Sequence, residues 1–285
     1  MEGLRHRLVL RGRCDCDCVF CRPDRSAPST DPSVALQDLR DGYAPGRGLN
    51  IGGDEPTTHP ALPEVIAAAR ELGYKPIALQ TTGQLFAQPG FARLLRDLGL
   101  DAADIPLYGS NAAVHEAITR RPGSFRRTLA GLARLRAVGL DLVIHTVVTR
   151  ENVSDLSDLV GFCLARGLPL PRIEHLQPER AFPYAEHAVS LADSAAALAT
   201  VARDHLAQML FVNFPACFAK LLPESLGTGL AITSAPGTAQ RPKRHAAVCR
   251  SCALGDSCPG PFVGYLDLFG DGDLRPVSTC RPPRR

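Results

Sequence analysis

The chain has 285 residues, 45% of them apolar and 21% charged, proportions that can bury a sizeable core and that exclude a fibre or a disordered tail. The formal net charge of +3, from 32 basic and 29 acidic residues, is too small to point to nucleic acid. No run nears the ~18 apolar residues of a membrane span, so neither a nucleic-acid partner nor membrane insertion is expected.

From Leu8 onward, β-rich runs alternate with amphipathic stretches, the pattern of parallel βα units. Strands are predicted over residues 8–10, 49–51, 76–80, 104–107, 140–148 and 172–176, with helices over 61–72, 91–98, 125–138 and 153–166. Gly73, Gly99, Gly139 and Gly167 follow these helical patterns, as a left-handed C-terminal cap prefers. Six units fall short of the eight that close a barrel, so the expected fold is α/β, an open partial (β/α)6 barrel over residues 1–209. Its ligand site should lie at the C-terminal ends of the strands. A helix over 190–209 closes this part; Cys163, in an apolar helical run, reads as a buried structural thiol. A strand over 210–214, a polar loop over 223–237 and a cysteine-rich turn region over 247–261 follow. Residues 210–285 are too short and apolar-poor to fold unaided, which predicts a small domain stabilised by metal.

Ten cysteines without a secretion signal point to a reducing, cytoplasmic setting, where clustered thiols serve as metal ligands or reactive groups rather than disulfides. Cys14, Cys18 and Cys21 stand in a C-x3-C-x2-C arrangement directly after the first predicted strand. Three thiolates on one short loop can hold three irons of a [4Fe–4S] cube and leave the fourth iron open, whereas a structural zinc or closed electron-transfer site recruits a fourth protein ligand. Cys16 could be that ligand, but alternation along an extended loop turns it away from Cys14 and Cys18 and leaves it a spare.

With Phe20 before Cys21, and Gly52-Gly53-Asp54-Glu55-Pro56 after the second strand, the sequence resembles the radical S-adenosylmethionine (SAM) superfamily. The resemblance runs on through Thr81-Thr82-Gly83, Leu107-Tyr108-Gly109-Ser110, residues 115–125 and residues 147–152, covering about residues 5 to 180. It implies that Cys14, Cys18 and Cys21 hold the cluster and that SAM chelates the open iron. It also implies that Gly52, Gly53, Asp54 and Glu55 receive the methionyl amino group, that Thr82 and Ser110 meet the ribose or carboxylate, and that His145, Thr146 and Glu174 contact adenine or substrate. A satisfied strand histidine is the other reading of His145. An electron donor of the flavodoxin or ferredoxin type goes with such chemistry.

Cys249-x2-Cys252-x5-Cys258-Pro259-Gly260 resembles the auxiliary-cluster modules called SPASM or twitch, in a shortened form with Phe262 where a full module has a further cysteine. A single auxiliary [4Fe–4S] cluster is implied, two clusters in all, with structural zinc as the alternative. Cys217, Cys249, Cys252, Cys258 and Cys280 are five thiols for four ligand positions. Either Cys280 is left over, or Cys217, Cys252, Cys258 and Cys280 are the ligands and Cys249 is a thiol beside the cluster. Spacing alone prefers the first.

The first strand begins within about ten residues of Met1, leaving no room there for a leader-peptide recognition domain and favouring a small-molecule substrate. Length, the shortened tail and the surplus thiol resemble the radical SAM epimerases of aminoglycoside biosynthesis, which invert a sugar carbon in converting neomycin C to neomycin B. On that reading Cys249 returns a hydrogen atom to the opposite face of the substrate radical. A peptide maturase forming a thioether or carbon–carbon crosslink is the other enzyme reading, and an iron–sulfur scaffold the non-enzyme one. A polycationic substrate calls for carboxylates, for which Asp104, Glu174 and Glu179 are the candidates.

Overall fold

A computed structural model of the chain describes residues 5–21, 28–178, 182–222, 231–233, 242–255 and 257–277. Eight strands lie in sequential order in one sheet: β1 (Arg5–Val9), β2 (Gly48–Gly52), β3 (Ile77–Gln80), β4 (Ala102–Pro106), β5 (Asp141–Val148), β6 (Arg172–His175), β7 (Leu210–Val212) and β8 (Ala231–Thr233). Their ladders are parallel, from Arg5 opposite Gly48 through Pro106 opposite His145, and again from Ile173 opposite Phe211 to Val212 opposite Thr233. Among the described residues no ladder joins β8 to β1, so the sheet is open, as expected. Strands buried on both faces need near-continuous apolar sequence, and Leu49, Ile51, Ile77, Leu79, Ala103, Ile105 and Ile144 are all essentially inaccessible.

Between the strands lie α1 (Pro32–Gly42), α2 (Leu62–Leu72), α3 (Phe91–Asp97), α4 (Ala112–Thr119), α5 (Ser124–Ala137) and α6 (Leu156–Ala165). The four glycines that follow the predicted helices all adopt positive φ, from 61° at Gly167 to 117° at Gly99. Sequence patterning missed α1 and α4, whose starts are written in single residues. Asp31 caps α1 by accepting from the Ser33 N–H at 2.8 Å, ahead of Pro32, and Asn111 caps α4 by accepting from the Val114 N–H at 3.1 Å.

The chain divides into two compact units, one of residues 1–107 and 111–145, the other of residues 108–110 and 146–285. The division falls within β5 rather than between residues 209 and 210. In the second unit the barrel pattern continues past the expected six strands, because β7 pairs with β6 and a strand inside the presumed polar loop pairs with β7.

The long helix expected over 190–209 is two helices, α8 (Leu191–Ala197) and α9 (Arg203–Gln208), after a single turn, α7 (Tyr184–His187). The Ser157 hydroxyl donates to Ala197 O at 2.6 Å, taking a carbonyl that a continuing helix would use, and the Thr200 hydroxyl donates to Ser157 Oγ at 2.9 Å. A last helix, α10 (Val263–Phe269), was not foreseen; its Tyr265 is fully buried and donates to Asp273 Oδ2 at 2.8 Å. Cys163 is fully buried, and burial pushes its thiol up to about 12.

Candidate active site

The first unit carries the loop after β1 and the ends of β2 and β3. The loop bearing Cys14, Cys18 and Cys21 is braced by backbone bonds, the Asp17 N–H donating to Thr119 O and the Val19 N–H to Ile118 O, both at 2.9 Å, while the Cys21 N–H closes a turn on Cys18 O at 3.0 Å. Cys16 does not turn away as the alternation suggested. It is buried, and its thiol lies in hydrogen-bonding reach of both Cys14 and Cys18. The reason is a clamp invisible in the local sequence. Gln84 Nε2 donates to Cys16 Sγ at 3.0 Å, and Gln84 Oε1 accepts from Arg127 Nε at 2.7 Å. The Cys16 thiol and burial together raise the Cys14 pKa, and a metal must displace those protons before it can bind. As they stand, no three His, Cys, Asp or Glu side chains among the described residues form a ready-made metal cage. The donor set still fits iron: soft thiols on one short loop, two of them half-buried and Cys21 exposed.

Beside this loop, Gly53 has φ +148°, and a Cβ there would come within 2.4 Å of Leu10 O, so the two chain segments meet backbone to backbone only because the residue is glycine. Gly52 O accepts from the Leu10 N–H at 2.7 Å. Glu55 is 1% exposed and is spent on the protein itself. Its Oε1 accepts from the Thr57 N–H at 3.0 Å and the Thr81 hydroxyl at 2.6 Å, and its Oε2 from the Thr82 N–H at 2.6 Å. Glu55 therefore ties the end of β2 to the end of β3, and Asp54, half-buried, lies 4.0 Å from Arg11 Nε. His145 is 6% exposed with Nδ1 2.5 Å from Asp104 Oδ1, which joins two candidates into one imidazole–carboxylate pair.

In the second unit Ser110 is fixed by Asp155, which sequence reasoning missed, through its N–H at 2.6 Å and hydroxyl at 2.7 Å. Asn152 gathers Tyr108 O, Val147 O and Thr146 Oγ1 on one amide. Glu174 is bound by Arg172 at 2.7 Å, so its charge is already compensated. Glu179 and Cys280 lie outside the described residues.

Cys217, Cys249, Cys252 and Cys258 line one cleft of about 360 Å3, counting its open mouth, together with Pro215, His245 and Pro261. Three of the four sulfurs are addressed by backbone amides. Cys258 Sγ accepts from the Ala216 and Gly260 N–H groups and Cys252 Sγ from the Val277 N–H, each at 3.4 Å, while the Arg275 N–H acts on Cys217 against the burial that raises its pKa. Cys249 Sγ accepts no such bond among the described residues. Amide donors stabilise thiolate over thiol and accompany sulfur ligated to iron. The cleft therefore fits an iron–sulfur group, and its four thiols are not equivalent.

The family model of the Radical SAM superfamily matches residues 8–163, more than half of the chain. Among curated proteins, a "Probable GTP 3',8-cyclase" of Methanothermobacter thermautotrophicus is 28% identical over 61% of this chain and 58% of its own length. An "AdoMet-dependent heme synthase" of Methanosarcina barkeri is 29% identical over 52% and 43%. The chain thus spans only about half of such relatives. Among solved structures, Streptococcus suis SuiB superposes with a TM-score of 0.58 at 18% identity, over 81% of this chain and 49% of that one, a likeness of fold. Among the described residues no helix is long and apolar enough to cross a membrane.

Proposed function

We propose, from the premise that this chain belongs to the radical SAM superfamily, that it is an epimerase inverting one sugar carbon of an aminoglycoside, of the neomycin C to neomycin B type, with Cys249 as the hydrogen donor. A [4Fe–4S] group on Cys14, Cys18 and Cys21, with SAM and one electron, would supply a 5′-deoxyadenosyl radical that takes a hydrogen atom from the substrate. Gly52 and Gly53 admit the methionyl amino group close to backbone, and Asp54 balances its charge. Glu55 keeps that loop in register with Thr82, and Asp155 fixes Ser110. The His145–Asp104 pair offers an oriented imidazole to a hydroxyl or ammonium group.

The observation that carries the epimerase reading is the inequality of the cleft thiols. Backbone amides address the sulfurs of Cys217, Cys252 and Cys258, and Cys280 is the fourth ligand on this reading. Cys249 Sγ, which no backbone amide addresses among the described residues, is the thiol left over in the cleft. Its S–H bond breaks homolytically as the hydrogen passes to carbon on the face opposite to abstraction. One further electron from a flavodoxin- or ferredoxin-type donor and one proton from water then restore the thiol. Each turnover consumes one SAM and two electrons and yields an isomer of the substrate.

The test is an anaerobic reaction of the reconstituted protein with SAM, reductant and neomycin C in deuterium oxide. One deuterium in an epimeric product is expected. The Cys249→Ala variant should retain all its iron and still form 5′-deoxyadenosine, without inverted product. Formation of 5′-deoxyadenosine with no aminoglycoside isomer from the parent protein, or loss of half the iron in Cys249→Ala, overturns the reading.

A further inference from the structure

Residues 242–246 and 258–263 form a short antiparallel ribbon. Lys243 bridges Phe262, the Arg244 N–H donates to Pro261 O at 3.1 Å, and the Val263 N–H donates to Pro242 O at 2.9 Å. His245 Nε2 adds a contact of 2.6 Å to Cys258 O. Gly260 permits the close approach, since at φ +76° a Cβ would stand 2.5 Å from Arg244 O. Lys243 is thereby fixed beside the segment that supplies Cys258, Gly260 and Pro261 to the cysteine-lined cleft.

Lys243 is one of three lysines in the chain. Its Nζ is buried, with no hydrogen-bond partner among the described residues, and sits 4.5 Å from the Phe262 ring centroid. A cation–π contact returns less than a buried ammonium loses in hydration, so an anion is called for. The described neighbours do not provide one. Asp267 pairs with Arg244 at 3.4 Å on the exposed side, and His175, stacked on the same Phe262 ring, is held neutral by burial. Burial lowers the Lys243 pKa, and negative charge at Cys258 opposes that shift.

We propose that the Lys243 ammonium is the counter-charge of an iron–sulfur centre in the Cys217–Cys252–Cys258 cleft and raises its reduction potential. The inference rests on the auxiliary-cluster reading above. A thiolate-ligated cubane is anionic in both states and gains one more negative charge on reduction. A fixed cation in a low-dielectric surround therefore favours the reduced state. Lysine suits the task, being a point charge on an apolar stem that can lie along Phe262.

The experiment is an EPR-monitored redox titration of the reconstituted full chain as parent, Lys243→Met and Lys243→Arg, with iron analysis of each. Lys243→Met should keep its iron and show the auxiliary midpoint lowered by at least tenfold in the reduction equilibrium, about 59 mV for one electron, and Lys243→Arg should restore the parent value. If Met unloads the centre, reloading by Arg supports the charge requirement. An unchanged midpoint in Met, or loss of auxiliary iron in both variants, overturns the inference. A parent protein with about four irons per chain rather than about eight, and one EPR signal, instead removes the auxiliary-cluster reading itself.

Discussion

The N-terminal and C-terminal thiols are gathered by opposite means. Cys14, Cys18 and Cys21 come from one loop of eight residues, braced by backbone bonds to the end of α4. The cleft thiols come from residues 217 and 249–258, and the amides that address their sulfurs belong to residues 216, 260, 275 and 277. A loop site depends on one stretch of chain. An assembled site depends on every segment at once, so the binding of a metal there would be coupled to its folding.

The harshest way to break this contrast is to replace Cys14, Cys18 and Cys21 by alanine together. Formation of 5′-deoxyadenosine should fall to background while about half the iron stays, since the two ligand sets are separate. Iron analysis and SAM-cleavage assays read both. Loss of all iron would show that the tail centre needs the loop.

That same contrast governs what the sequence made legible. Three cysteines within eight residues, and a Gly-Gly-Asp-Glu run at a strand end, are short-range patterns and are readable as such. So were six of the strands, each marked by an apolar run and four of them by a following glycine-capped helix. The Gln84 clamp on Cys16, across 68 residues, and the Val277 amide on Cys252, across 25, are products of folding with no local signature. The expectation that Cys16 alternates outward failed because Gln84 and Arg127 pull it in. The strand Ala231–Thr233 was hidden because three residues in a polar stretch carry too little pattern, and only the open edge of β7 makes them a strand.

A second test sets one glycine of each region against the other. Gly53→Ala forces a strained φ and drives a Cβ to 2.4 Å from Leu10 O, and Gly260→Ala drives one to 2.5 Å from Arg244 O. Each should cost about 3 kcal/mol. By urea unfolding followed with iron release, Gly53→Ala should weaken SAM cleavage with tail iron retained. Gly260→Ala should release tail iron with cleavage retained. Equal loss of both functions in either variant would merge the two regions into one cooperative site.

The mildest test uses one buried histidine from each unit, His115 and His175. Desolvation pushes His115 down to about 4 and His175 down to about 3, while the unfolded chain titrates near 6.5. Both are thus depressed. Below 6.5 the unfolded state takes up protons that the folded state refuses, so the stability each neutral imidazole allows is complete above 6.5 and lost as the pH falls toward the folded values. Between pH 7.5 and 5.5 each should cost about 1.4 kcal/mol. His175→Phe suits the surrounding Phe214, Phe262 and Tyr265 rings and forfeits no bond at Nε2, which has none among the described residues. It should flatten the acid limb of the tail, read as iron release from the cleft, while His115→Gln flattens that of the first unit, read as loss of SAM cleavage after an acid pulse. A pH profile that either variant leaves untouched would mean that the imidazole titrates in the folded state near its ordinary value, and that its unit opens to water well before it unfolds.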